Sequence, residues 1–94
     1  MSYRVTFSGR AKKELMKLPP QQRQLLLAWI NNNLEQCENP RKLQEARQIK
    51  GTQCGWRFKV GAYRILASIF DDEFIIHVVR VGHRQGVYGH LPKL

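Results

Sequence analysis

The sequence has no run approaching the roughly 18 apolar residues that a membrane span requires. No signal peptide is expected either, because Met1-Ser2-Tyr3-Arg4 leads into an alternating segment and not an apolar one. Two cysteines, Cys37 and Cys54, form no CxxC pair, and together with three histidines they lack zinc spacing. No metal and no other cofactor is therefore expected, and the cysteines read as small core hydrophobes in a reducing cytoplasm. There is no repeat, low-complexity tract or linker. A carboxylate dyad for glycoside hydrolysis, a Ser/His/Asp signature and a phosphate-binding glycine loop are missing too.

Acidic side chains are the most informative scarcity. None occurs between Ala46 and Phe70, a span that holds Arg47, Lys50, Arg57, Lys59 and Arg64. None occurs from Phe74 to Leu94, which holds Arg80, Arg84 and Lys93. The acids of the C-terminal half are confined to Asp71-Asp72-Glu73. Over 94 residues, 16 Lys and Arg stand against 7 Asp and Glu, a formal net charge of +9. A bias of that size favours a polyanionic partner: nucleic acid, an acidic protein or an anionic membrane surface. With 43% hydrophobic and 10% aromatic residues the chain is a globular protein, and its length allows one core and one domain over residues 1–94.

Local patterning predicts an α+β fold. Tyr3 to Phe7 alternates apolar and polar residues as a short strand, and Ser8 is the N-cap of a helix over residues 10–18. Ala11, Leu15 and Leu18 form its apolar stripe. Pro19-Pro20 ends that helix and starts a second over about residues 21–38. Leu26, Trp29, Ile30, Leu34 and Cys37 make the apolar face of this second helix, widened by Leu25 and Leu27. A short connection predicts an antiparallel helix hairpin. Residues 41–53 read as a polar connection with Leu43 and Ile49 as anchors. From Trp56 the period becomes two, giving strands over residues 56–60, 63–70 and 74–81. The expected architecture is an N-terminal strand and a helix hairpin packed on an antiparallel four-stranded sheet.

A two-residue turn at Gly61-Ala62 would set Lys59 opposite Arg64, with Arg57 two residues back on the same face. Like charges facing across strands destabilise a sheet, unless an anion lies between them or the side chains splay into solvent. The segment Gly82-His83-Arg84-Gln85-Gly86-Val87-Tyr88 then adds a titratable imidazole, a cation and a phenol at a strand end. His77, inside an apolar strand, reads as a core or edge residue, and His90 lies near a terminus, where disorder concentrates. A metal-free set of Lys, Arg, His and Tyr suits RNA cleavage by the RNA's own 2′-OH. That reaction needs a base, cations for the phosphorane and an acid for the leaving 5′ oxygen.

The helix-hairpin start, with Trp56-Arg57-Phe58-Lys59-Val60, Tyr63-Arg64-Ile65-Leu66, Val81-Gly82-His83-Arg84 and Val87-Tyr88, resembles the RelE/ParE toxin superfamily, the RelE-like branch most closely. The resemblance implies a RelE-like fold and a bacterial, cytoplasmic toxin of a type II toxin–antitoxin pair. It implies a metal-independent endoribonuclease that cuts mRNA in the ribosomal A site, beside the 16S rRNA of the small subunit, and is silenced by a cognate antitoxin. By matching position, Arg57, Lys59, Arg64, His83, Arg84 and Tyr88 form the catalytic set. Lys59 or His83 acts on protons, the three arginines hold the phosphate, and Tyr88 positions the 2′-OH or stacks on a base. Arg47, Lys50 and Arg80 are expected to bind RNA around them. Arg57 stands where Lys is common in the family, and an arginine is too basic to serve readily as a general base. A ParE-like poison of DNA gyrase and a non-catalytic nucleic-acid-binding module are the alternatives.

Overall fold

Ser8 ends the first strand and begins the first helix. Its backbone is extended, its Oγ accepts the Ala11 N–H at 3.0 Å, and its hydroxyl donates to the Val79 carbonyl at 3.0 Å. The computed structural model describes residues 1–89, so His90 and Lys93 lie outside it. Along the chain come β1 (Arg4–Phe7), α1 (Gly9–Lys17), α2 (Pro20–Asn33), a single 3-10 turn (Pro40–Lys42), β2 (Ala46–Gln48), β3 (Gly55–Val60), β4 (Tyr63–Phe70) and β5 (Ile75–His83). Pro20 occupies the first turn of α2, where its missing N–H costs nothing.

The sheet departs from the expected one in two ways. It has five strands in the order β1-β5-β4-β3-β2, and it is mixed, because β1 runs parallel to β5. The added strand β2 comes from the segment read as a connection, and it pairs antiparallel with β3. Helix α2 also stops earlier than expected. Asn31, Asn32 and Asn33 are weak helix formers, and the chain beyond them bonds to Tyr3, just before β1: Gln36 N–H donates to the Tyr3 carbonyl at 2.8 Å, and Tyr3 N–H donates to that of Cys37 at 2.9 Å.

The helices cover one face of the sheet. Ala11, Leu15, Leu26, Ile30 and Leu34 share a core with Phe58, Val60, Ile65, Ala67, Ile76, Val78 and Val81. Trp29 meets Phe58 with ring centroids 5.9 Å apart. Leu25 and Leu27, expected on this face, are instead exposed at 54% and 39%. The opposite face, called the outer face below, carries only a small cluster of Ile49, Leu66 and Val87, with Val79 beside it.

The β3–β4 hairpin has the predicted register, with Val60 opposite Tyr63 and Lys59 opposite Arg64. Gly61 has φ +59°, the positive value that a type II′ turn puts at its first central residue. At the far end of the hairpin, the Asp71 carboxylate accepts from the Tyr3 hydroxyl at 2.6 Å and from both terminal nitrogens of Arg41 at 2.9 and 3.1 Å. The Arg41 guanidinium lies 5.8 Å from the centroid of the Trp56 ring. This corner joins β1, the 3-10 turn, β3 and the end of β4. The Arg41 and Tyr3 hydrogen bonds hold the Asp71 carboxyl below the usual carboxylate range. The Asp71 hydrogen bond, then burial, push the Tyr3 phenol up.

Candidate nucleic-acid interface

Alternation sends Trp56, Phe58 and Val60 into the core, so Arg57 and Lys59 must face outward. Strand pairing then builds two rows on the outer face. The first reads Arg47, Arg57, Leu66, Arg80 across β2, β3, β4 and β5; the second reads Lys59, Arg64, Gly82 across β3, β4 and β5. The β2 half of these rows borders a pocket of about 420 Å³ lined by Gln44, Glu45, Arg47, Arg57, Lys59 and Arg64.

The cations of this pocket are held by carbonyls or by nothing. Arg64 is 9% exposed, and one of its terminal nitrogens donates to the carbonyls of Gly61 at 3.0 Å and Tyr63 at 2.9 Å. Arg47 likewise donates to the Gln44 and Ala46 carbonyls at 3.2 and 2.8 Å. No hydrogen bond or ion pair within the described residues engages the side chains of Arg57, Lys59 or Glu45; the two ion pairs there are Arg41–Asp71 and Arg80–Glu14. Four cations thus converge on one concavity with a single carboxylate among them. Such a cluster is destabilising when empty and lowers its energy by admitting an anion.

The other expected residues are distributed around this pocket. His83 pairs with Tyr63 and packs its ring edge-on against that side chain, centroids 6.0 Å apart. Tyr63 belongs to the helix-covered core, so His83 leaves the strand on the face opposite Lys59 and Arg64. Arg84 is exposed, and its N–H donates to the Ala62 carbonyl at 2.9 Å, beside the turn that holds Arg64. Val87 is buried over Leu66 and Gly82, and Tyr88 follows it at 38% exposure. The tail therefore lies over the β4–β5 half of the outer face, next to the pocket. Lys50 is exposed beyond the end of β2.

Arg80 stands apart from its expected role on RNA. It is 8% exposed, and it donates to Glu14 Oε2 from Nε at 3.2 Å and from a terminal nitrogen at 2.9 Å. Its other terminal nitrogen donates to the Gly89 carbonyl. Gln44 and Glu45 were not singled out from sequence. Their signal was positional: Glu45 is the last acid before the acid-free stretch, and reading Ala46-Arg47-Gln48 as a strand would have placed it at the pocket. Among the described residues, no group of three His, Cys, Asp or Glu side chains could hold a metal ion, and no helix is long and apolar enough to cross a membrane.

Comparison with known proteins agrees with this fold. Residues 5–88 match the family described as the ParE toxin of the type II toxin–antitoxin system parDE. Toxin RelG of Mycobacterium tuberculosis is 30% identical over 94% of this chain and 98% of its own length. Toxin RelE3 of Methanocaldococcus jannaschii is 30% identical over 95% and 99%. Among solved structures, the toxin–antitoxin complex RelBE2 of M. tuberculosis superposes with a TM-score of 0.75 at 25% identity, covering 89% of this chain and all of that one. The intact RelBE complex of E. coli gives 0.70 at 26% identity, covering 87% and 96%. The fold, the extent of these matches and the family they share lead to one assignment: the chain belongs to the RelE/ParE superfamily of type II toxin–antitoxin toxins.

Proposed function

We propose that the protein is a ribosome-dependent mRNA endoribonuclease of the RelE type, inhibited by a cognate antitoxin. The observation that carries this reading is the pocket in which Arg47, Arg57, Lys59 and Arg64 meet with no acid paired to any of them. A phosphodiester supplies the missing charge. In the reaction, the 2′-oxygen bonds to phosphorus, the bond from phosphorus to the 5′ oxygen breaks, and a 2′,3′-cyclic phosphate and a 5′-hydroxyl result. Arg57, Arg64 and Arg84 stabilise the charge of the phosphorane. Lys59 and Glu45 are the titratable groups that line the pocket, so the proton leaving the 2′-OH and the proton reaching the 5′ oxygen pass through them. His83, packed against Tyr63, is given no step. Tyr88 positions the 2′-OH or stacks on the neighbouring base.

The cationic site and the +9 charge also explain an acidic antitoxin as partner, since opposite potentials speed encounter and fix register. The solved RelBE relatives support that reading. A second reading, a ParE-like poison of DNA gyrase, is favoured by the description of the matching family. Induced expression separates the two. We expect translation to stop within minutes and primer extension to reveal codon-positioned cuts in mRNA, lost in Arg64→Ala and in Arg84→Ala. Cuts persisting at wild-type level in both variants overturn the nuclease reading. DNA damage and filamentation without translational arrest replace it with the gyrase one. Toxicity retained after joint substitution of Lys59, His83 and Tyr88 replaces it with non-catalytic binding.

A further inference from the structure

Strand β1 stops at Phe7, so the second half of β5 has no strand on its outer edge. Helix α1 takes over that edge. The Ser8 hydroxyl meets the Val79 carbonyl, and Glu14 Oε1 accepts the Val81 N–H at 3.0 Å, a donor that would otherwise be left open. The second carboxylate oxygen, Oε2, takes Arg80, whose side chain starts on the outer face and reaches round the edge. From there Arg80 also holds the Gly89 carbonyl. Two residues earlier, Val87 is 1% exposed in the small outer cluster, and its N–H donates to the His83 carbonyl at 3.0 Å. Tyr88 is thus a half-exposed phenol between two anchored neighbours.

We propose that Glu14 and Arg80 are positioning residues for Tyr88: the ion pair fixes one guanidinium arm on Gly89 and so holds the tail over the β4–β5 half of the outer face, the face that carries the cationic pocket. Neither touches the RNA. This rests on the nuclease reading above for its catalytic consequence, but the clamp itself is independent of that reading. A charged fork suits the task better than an ammonium. One planar guanidinium spans a carboxylate and a carbonyl at once, whereas the shorter ammonium introduced by Arg80→Lys would keep Glu14 and release Gly89.

The test uses Arg80→Lys in the full-length protein, with Tyr88→Ala and the double variant, on ribosomes programmed with a defined mRNA. Arg80→Lys is expected to lower kcat about 10- to 100-fold with KM within about twofold, the signature of a misplaced group and not of lost binding. In the Tyr88→Ala background the same change should cost less than about twofold, because its effect runs through Tyr88. Amide hydrogen exchange gives a second readout: Val87 and Gly89 should lose protection in Arg80→Lys while the β3–β4 amides keep theirs. Additive losses in the double variant, a change confined to KM, or unaltered exchange at Val87 and Gly89 each overturn the proposal. If the wild-type protein cuts no RNA, the nuclease reading falls, and exchange at those amides still decides whether the clamp exists.

Discussion

Arg64 and Arg80 project from adjacent strands onto the same face of the sheet, diagonal neighbours, at 9% and 8% exposure. Their charges are handled differently. Arg80 meets a carboxylate at 2.9 Å and a carbonyl, and both belong to the fold. Arg64 meets two carbonyls and no carboxylate, with Lys59 directly across the strand. A nearly buried cation with an acid partner is part of the architecture. One without it holds its field open for a ligand. The largest expected effect follows from this contrast. Glu14→Ala strands the Arg80 charge and the Val81 N–H, and should lower unfolding stability by about 2–3 kcal/mol. Arg64→Ala relieves a like-charge pair and should change stability by less than about 1 kcal/mol while removing cleavage. Urea denaturation of both variants checks the pair, and equal losses would erase the distinction.

The smaller effect concerns the apolar contact on the same face. Val87 packs on Leu66, which stands between Arg57 and Arg80 in the first outer row. Val87→Ala removes two buried carbons and should cost roughly 1.5–2 kcal/mol. Because the tail is a satellite of the main core, that loss should appear as early opening of residues 84–89, seen in their amide exchange, before global unfolding.

Turn and cap chemistry made much of this molecule legible from sequence. Gly61-Ala62 dictated the pairing of Lys59 with Arg64, Ser8 marked the start of α1, and the missing acids pointed to the outer face. These signals are local, each carried by a few adjacent residues. What escaped depends on distant partners. Ala46-Arg47-Gln48 has no strand period of its own and becomes β2 only by pairing with β3. The parallel contact of β1 with β5 joins residues about 70 apart, as between Val5 and Ile76. Arg80 looked like another solvent-facing cation because Glu14 is 66 residues away. His83 shares a motif with Arg84, yet strand pairing sets its ring against Tyr63 and away from Lys59 and Arg64.

The smallest expected effect lies at the opposite corner, where the part-exposed Arg41 and Asp71 pair beside the buried Tyr3. The Asp71 side chain is 60% exposed, so solvent screens the pair and its contribution should stay under about 1 kcal/mol. Its direction with pH is nonetheless fixed. The folded-state Asp71 carboxyl titrates below the ordinary carboxylate value of about 3.9, held down by Arg41 first and by Tyr3 second. The stabilisation is therefore complete above the unfolded value and disappears as pH falls through the depressed folded one. Asp71→Asn should be slightly less stable than wild type at pH 7, and the gap should close in acid, below the ordinary carboxylate value, as the wild-type carboxylate takes up its proton. Urea midpoints at pH 7 and in acid measure it. A gap that persists at the lower pH would mean that Asp71 acts through hydrogen bonds that its protonated form retains. The corner would then differ from the Arg80–Glu14 clamp in kind and not only in exposure.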